Sequence, residues 1–85
     1  MDIYHHVSLV ANSTSYGAAP PQTKGVMVVN TAASATQATL YPYGATTGTT
    51  FAARIDVEAN STTILPVKIG GASAASSSVF VYSLF

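Results

Sequence analysis

From Thr49 to Val57 the chain alternates: Phe51, Ala53, Ile55 and Val57 fall on one side, with Thr50, Ala52, Arg54, Asp56 and Glu58 between them. A period of two marks a half-buried β-strand, because successive side chains point to opposite faces. Ala59, Asn60 and Ser61 then supply turn chemistry, since Asn tolerates left-handed backbone and its side chain bonds nearby main chain. Thr62 to Ile69 resume a β-rich run, so residues 49–69 predict a β-hairpin on which the rest of the chain leans. Pro66 in the returning arm has no N–H to donate, which puts that arm on a sheet edge or at a bulge. With Lys68 beside it, Pro66 would blunt the edge against pairing with another chain.

The pattern recurs on both sides of this stretch. Residues 2–10 predict a first strand, with Ile3, His5, Val7 and Leu9 on one face and Tyr4, His6, Ser8 and Val10 on the other. Neither face is cleanly polar, so both are expected to be covered, one of them by another subunit. Residues 11–24 predict a loop or extended arm, because Pro20 and Pro21 remove two backbone donors and Gly17 lies in a Ser/Thr-rich run. Residues 1–24 are therefore either a first strand with its connection or an N-terminal arm. Val-rich residues 25–31 predict a buried strand. Residues 36–43 set Thr36, Ala38 and Leu40 against Gln37, Thr39 and Tyr41, up to Pro42. Residues 70–78 predict a flexible loop. Residues 79–85 predict a last strand, with Val79, Val81 and Ser83 facing one way and Phe80, Tyr82 and Leu84 the other. It stays apolar to its final residue, so it should be docked in a sheet or an interface. No helical period occurs. About six to seven short strands separated by turn signals predict an all-β fold, a small antiparallel β-sandwich or barrel. Residues 1–85 form one domain, with 25–85 as its body.

Composition adds assembly to this picture. A chain of 85 residues has a marginal core, and small domains usually add disulfides, a metal or a partner chain. It has no cysteine and only two histidines and three carboxylates, which leaves self-association. Charged residues are 7% of the chain, against about 25% in an average soluble domain. Net charge is zero, and that favours association over dispersal. Lys24, Arg54 and Lys68 are scattered singly, so no basic stripe for nucleic acid is present. No apolar run is long enough to span a bilayer, and residues 1–13 lack the basic start of a signal peptide. Synthesis in the cytoplasm, without membrane partners, is the expectation.

Candidate chemistry is sparse. His5 and His6 are neighbours on a strand and point to opposite faces, so they do not share a metal within one chain. Packing or hydrogen bonding at an interface is the expected role. No serine sits in a Gly-x-Ser-x-Gly elbow, so no catalytic residue, cofactor or metal is expected and the chain is not read as an enzyme. Asn12-Ser13-Thr14 and Asn60-Ser61-Thr62 match a glycosylation acceptor, but turn chemistry explains both. Tyr16, Tyr41 and Tyr43 are candidates for a carbohydrate platform, although Tyr is also enriched at protein interfaces. Arg54, Asp56 and Glu58 share an outward face, where exposed pairs add only ~0.2–1 kcal/mol, and so bear on pairing specificity more than stability.

The succession of a Val-rich strand ending in Asn30-Thr31, then ATLYPYG, then TTF…VEANSTTILPVKI and an apolar last strand resembles the small β-sandwich proteins of tailed-bacteriophage virions. Capsid decoration (cement) proteins are the closest group. The likeness covers residues 25–85 and lies in style rather than in a diagnostic motif. It implies a viral structural protein that binds the outside of an icosahedral shell, commonly as a homotrimer, and stabilises it through repeated contacts with the major capsid protein. Contacts are expected on residues 3–10, at Pro20 and Pro21, and on the last strand: Ile3, Tyr4, His5, His6, Val7, Tyr82, Leu84 and Phe85. The competing readings are a tail, fibre or baseplate component, and a carbohydrate-binding or adhesin module.

Overall fold

A computed structural model describes residues 4–43 and 53–85. These residues hold eight strands: β1 (Val7–Ala11), β2 (Gly17–Ala18), β3 (Gly25–Asn30), β4 (Thr36–Pro42), β5 (Ala53–Val57), β6 (Ser61–Leu65), β7 (Ile69–Ala74) and β8 (Val79–Leu84). They form two four-stranded sheets, ordered β1-β8-β3-β6 and β2-β7-β4-β5, and every pairing is antiparallel. The fold is a small β-sandwich, as the alternation and turn spacing predict.

The alternation fixes which side of each strand faces in. Val26 and Val28 of β3 and Val79 and Val81 of β8 meet Ala38 and Leu40 of β4, Val57 of β5 and Ala72 and Ala74 of β7 between the sheets. All of these but Leu40 are small or β-branched, and β-branched side chains pack well on a pleated surface. The strand over residues 79–85 lies at the middle of the first sheet, flanked by β1 and β3, which accounts for its apolar run to the chain end.

Three expectations are corrected. Residues 49–69 do not form a hairpin: β5 pairs with β4 in the second sheet, whereas β6 pairs with β3 in the first. The turn at Asn60, whose φ is 52°, carries the chain across the core from one sheet to the other. Turn residues mark a reversal of direction equally well in both cases. Whether the two strands bond to each other depends on their neighbours. Phe51, part of the expected alternation, lies outside the described residues. Next, the expected single arm over 62–69 is split. β6 ends before Pro66, the N–H of Val67 bonds the Leu65 carbonyl at 2.9 Å, and β7 then begins in the other sheet. β6 is nonetheless an edge strand, as Pro66 predicts. Finally, residues 70–74 are not loop but the interior strand β7, between β2 and β4. Its Gly, Ala and Ser residues carry no β-propensity signal, yet smallness is what this position demands. A Cβ on Gly71 would lie 2.5 Å from the ring of Tyr16, which crosses β7 there.

The stretch over 11–24 is not a free tether. Ala11 closes β1, Gly17 and Ala18 pair with Ala72 and Gly71, and Ala19 N–H donates to the Gly70 carbonyl at 3.0 Å. Residues 7–11 belong to the first sheet through pairing with β8, rather than standing apart as an arm.

Two buried polar groups tie the sandwich. The Asn30 side chain, 1% exposed, donates through Nδ2 to the carbonyls of Ser34 (3.0 Å), Val57 (3.1 Å) and Glu58 (3.1 Å). Its Oδ1 accepts from Ala32 N–H at 2.9 Å. Thr23 Oγ1 donates to the Pro20 carbonyl at 2.6 Å and accepts from the Ser83 hydroxyl. Asn30 links β3 of one sheet to the end of β5 in the other. Replacing Asn30 by Ala removes the donor to the buried Val57 carbonyl, while Glu58 keeps the Ser61 hydroxyl, and should cost about 1–3 kcal/mol of stability. Urea denaturation reads this directly, and an unchanged midpoint would show that the amide does not hold the sheets together.

Candidate docking face

The outward side of the first sheet is apolar. Cross-strand register sets three rows there: Val7, Leu84 and Gly25; Leu9, Tyr82, Met27 and Ile64; and Phe80, Val29 and Thr62. Antiparallel sheets with one solvated face ordinarily alternate apolar inside with polar outside. Here Thr62 and the Tyr82 hydroxyl are the only polar side-chain groups in the three rows, and the four strands contain no Asp, Glu, Lys or Arg. Val7 is 56% exposed, Leu9 53% and Ile64 56%, so the borders of this surface on β1 and β6 are in contact with water, whereas Met27, Val29, Phe80 and Tyr82 between them are half-buried and Leu84 is buried. The Phe80 and Tyr82 rings stack at 6.3 Å. Tyr4 reaches over Gly25, where a Cβ would lie 2.7 Å from its hydroxyl.

This face unites several of the residues singled out in the sequence and separates others. Tyr4, Val7, Tyr82 and Leu84 lie on it. Phe85 lies beside it: its carbonyl accepts from the N–H groups of His5 (2.9 Å) and His6 (2.7 Å), and the His6 ring tilts against the Phe85 ring at 5.6 Å. Both histidines are exposed. Pro20 and Pro21 form the turn before β3, at a corner rather than on the face. Ile3 lies outside the described residues. Met27, Val29, Ile64 and Phe80 were not singled out. They emerge as neighbours only when β3, β6 and β8 are placed side by side.

The sheet edges are guarded, in contrast to the face. β1 bulges between Leu9 and Ala11, β6 stops before Pro66, β2 is two residues long, and β5 carries Arg54 and Asp56. Bulges, proline, shortness and charge are each ways of discouraging edge-to-edge pairing. The face carries none of these devices.

Other features are smaller. A cleft of 340 Å³ opens at the seam between β5 and β6, lined by Leu40, Ile55, Leu65, Val67 and Ile69 among others. At its rim the Lys68 ammonium sits 4.3 Å from the centre of the Tyr43 ring. Tyr16 and Tyr41 meet edge to face at 5.1 Å on the outside of the second sheet. Asp56 Oδ1 accepts from Gln37 Nε2 at 3.0 Å. Asn12 is engaged by its own fold, donating to the carbonyls of Ser77 and Val79 at 2.8 Å each. Among the described residues no three His, Asp or Glu side chains gather as a metal site would require.

Comparison with protein-family models, curated proteins and solved structures gives no match.

If the face is external to the folded unit, charge is tolerated there. Ile64→Lys should change the unfolding free energy by no more than about 0.5 kcal/mol and should lower the fluorescence of a bound apolar dye. Val28→Lys, at a fully buried position, should unfold the chain. Urea denaturation with dye titration checks both, and collapse of Ile64→Lys would mean that the face is part of the core.

Proposed function

We propose that this protein is a structural one that works by docking, a capsid decoration protein that lays the outer face of its first sheet on the outside of a viral shell and stabilises it. The observation that carries this reading is the uncharged apolar face itself. A sheet of four strands about 4.8 Å apart and roughly 20 Å long presents about 400 Å². That equals the largest patches on ordinary monomers, which are often functional, and is about half of what each partner buries in a standard interface of ~800 Å² per side. One face alone is a weak contact. Copies held together make the second and third contacts intramolecular, and avidity then exceeds any single affinity. A homotrimer on a repetitive shell meets that requirement.

The partner this face fits is an equally uncharged surface, since a charged group buried against it would lack a counter-ion. The resemblance to tailed-phage virion proteins supplies the setting, with the virion as location and the major capsid protein as partner. A tail or baseplate component remains the alternative within that setting. Contacts of this kind need no catalytic group or cofactor.

Light scattering over a dilution series should find a trimer that persists on dilution, whereas a monomer at every concentration would remove the self-association. Shells of the phage whose genome encodes the chain provide the second measurement. The wild-type protein should sediment with them and the Leu9→Lys/Ile64→Lys variant should stay in the supernatant. Equal sedimentation of both, or a wild-type protein found only with tails, would overturn the capsid-docking reading.

A further inference from the structure

We propose that the outward face of the second sheet is a binding site for a neutral saccharide, a function separate from docking through the first sheet. The two faces of this sandwich differ in kind. On the second sheet, register places Arg54, Thr39 and Ser73 in one row across β5, β4 and β7. Asp56 and Gln37 lie next to it on one side, and Tyr41 faces Gly71 on the other. Two shallow hollows of 310 and 330 Å³ lie along this surface and share Gln37 and Ala75 in their linings. They form a trough rather than an enclosed cavity.

Its chemistry selects the ligand class. Hydroxyls, an amide, a guanidinium and a carboxylate together offer both donors and acceptors, which matches a ligand whose groups each donate and accept, as sugar hydroxyls do. Among the residues that line the two hollows, Arg54 is the one cation and Asp56 the one anion, so the lining itself has no net charge. The planar groups of Arg54, Asp56 and Gln37 suit paired contacts to adjacent hydroxyls, and the Gln37–Asp56 bond of 3.0 Å orients two of them beforehand. Its apolar lining, from Ala35, Ala74 and Ala75, consists of small side chains.

The aromatic end completes the site. Tyr16 donates to the Gly70 carbonyl at 3.1 Å and lies over Gly71, which has no side chain to hold it off the strand. Its ring meets Tyr41 edge to face at 5.1 Å, with 65° between the planes. Two fixed, partly exposed rings at the end of a polar trough give the C–H face of a sugar ring an apolar wall, while its hydroxyls reach Thr39, Ser73 and Arg54. Side chains on paired strands are held in place before binding, which lowers the ordering cost. A protein docked through its first sheet would present this face outward.

The test is titration of the isotope-labelled full chain with cello-, manno- and N-acetylchitohexaose, followed by amide chemical shifts, with inorganic phosphate as the anion control. At least one hexaose should shift the amides of Thr39, Arg54 and Ser73 saturably, with little effect on β1, β3 and β8. Arg54→Ala, at an exposed position, should weaken that binding about tenfold, and Tyr41→Ala should do likewise. Tyr41→Phe, which keeps the ring, should retain it. No saturable shift with any of the three sugars, shifts confined to the first sheet, an equal response to phosphate, or undiminished binding by Arg54→Ala would each overturn the proposal. The Leu9→Lys/Ile64→Lys variant separates the two functions, because it should lose shell binding and keep sugar binding.

Discussion

The sandwich depends on one buried amide. Asn30 ends β3 in the first sheet, yet its Nδ2 reaches the carbonyls of Val57 and Glu58 where β5 of the second sheet ends, and the Ser34 carbonyl in the turn before β4. Those are the points at which the chain leaves one layer for the other. Backbone carbonyls at such crossings have no ladder partner, and leaving one buried and unbonded costs about 1–3 kcal/mol. One side chain meets three of them, and its own oxygen is met by Ala32 N–H. With a core made mostly of valines and alanines, with Leu40 and Ile69, hydrophobic packing alone specifies the relative placement of the sheets weakly. A fully satisfied polar group at the seam specifies it strongly.

Strand positions were legible in the sequence, and strand partners were not. The alternation of Thr36 to Tyr41 and of Val79 to Leu84 states which side faces in, because that pattern is imposed locally by the pleat. Whether β5 and β6 bond to each other is decided by β3 and β4, which are remote in sequence, and the Asn60 turn is compatible with either outcome. β7 escaped because its residues are small. Gly71 suits a strand crossed by a tyrosine ring, and a crossing ring leaves no trace in a one-dimensional pattern. The docking face was half legible for the same reason. Val7, Tyr82 and Leu84 belong to segments that are apolar on both sides, which shows in the chain itself. Met27, Val29 and Ile64 become neighbours on one face only through the order β1-β8-β3-β6.

That order also sorts the charges. None of the strands of the first sheet carries Asp, Glu, Lys or Arg, whereas Arg54 and Asp56 stand on β5 of the second. Charge is scarce throughout the chain, and the two charges that stand on strands both fall in the second layer. The second sheet keeps the polar outer surface expected of a solvated antiparallel sheet, and the first departs from it. Guarded edges and an unguarded face together define a direction of assembly. Strand addition is discouraged at every border, and broad contact is permitted across one plane.

The magnitude of that contact determines what kind of assembly it supports. About 400 Å² on each partner is roughly 800 Å² in all, below the ~1,200 Å² at which stable specific interfaces begin, and association costs an estimated 4–15 kcal/mol in lost freedom before side-chain ordering is counted. A solitary pair of such faces is a weak contact. The same face used three times on a rigid lattice meets most of the cost of lost freedom once, so the later contacts add nearly their whole gain. Docking then also stabilises the chain itself, because a partner that binds only the folded form shifts the folding equilibrium towards it. On the docking proposal, a small sandwich without disulfides would gain from its partner part of the stability that a small core supplies only marginally.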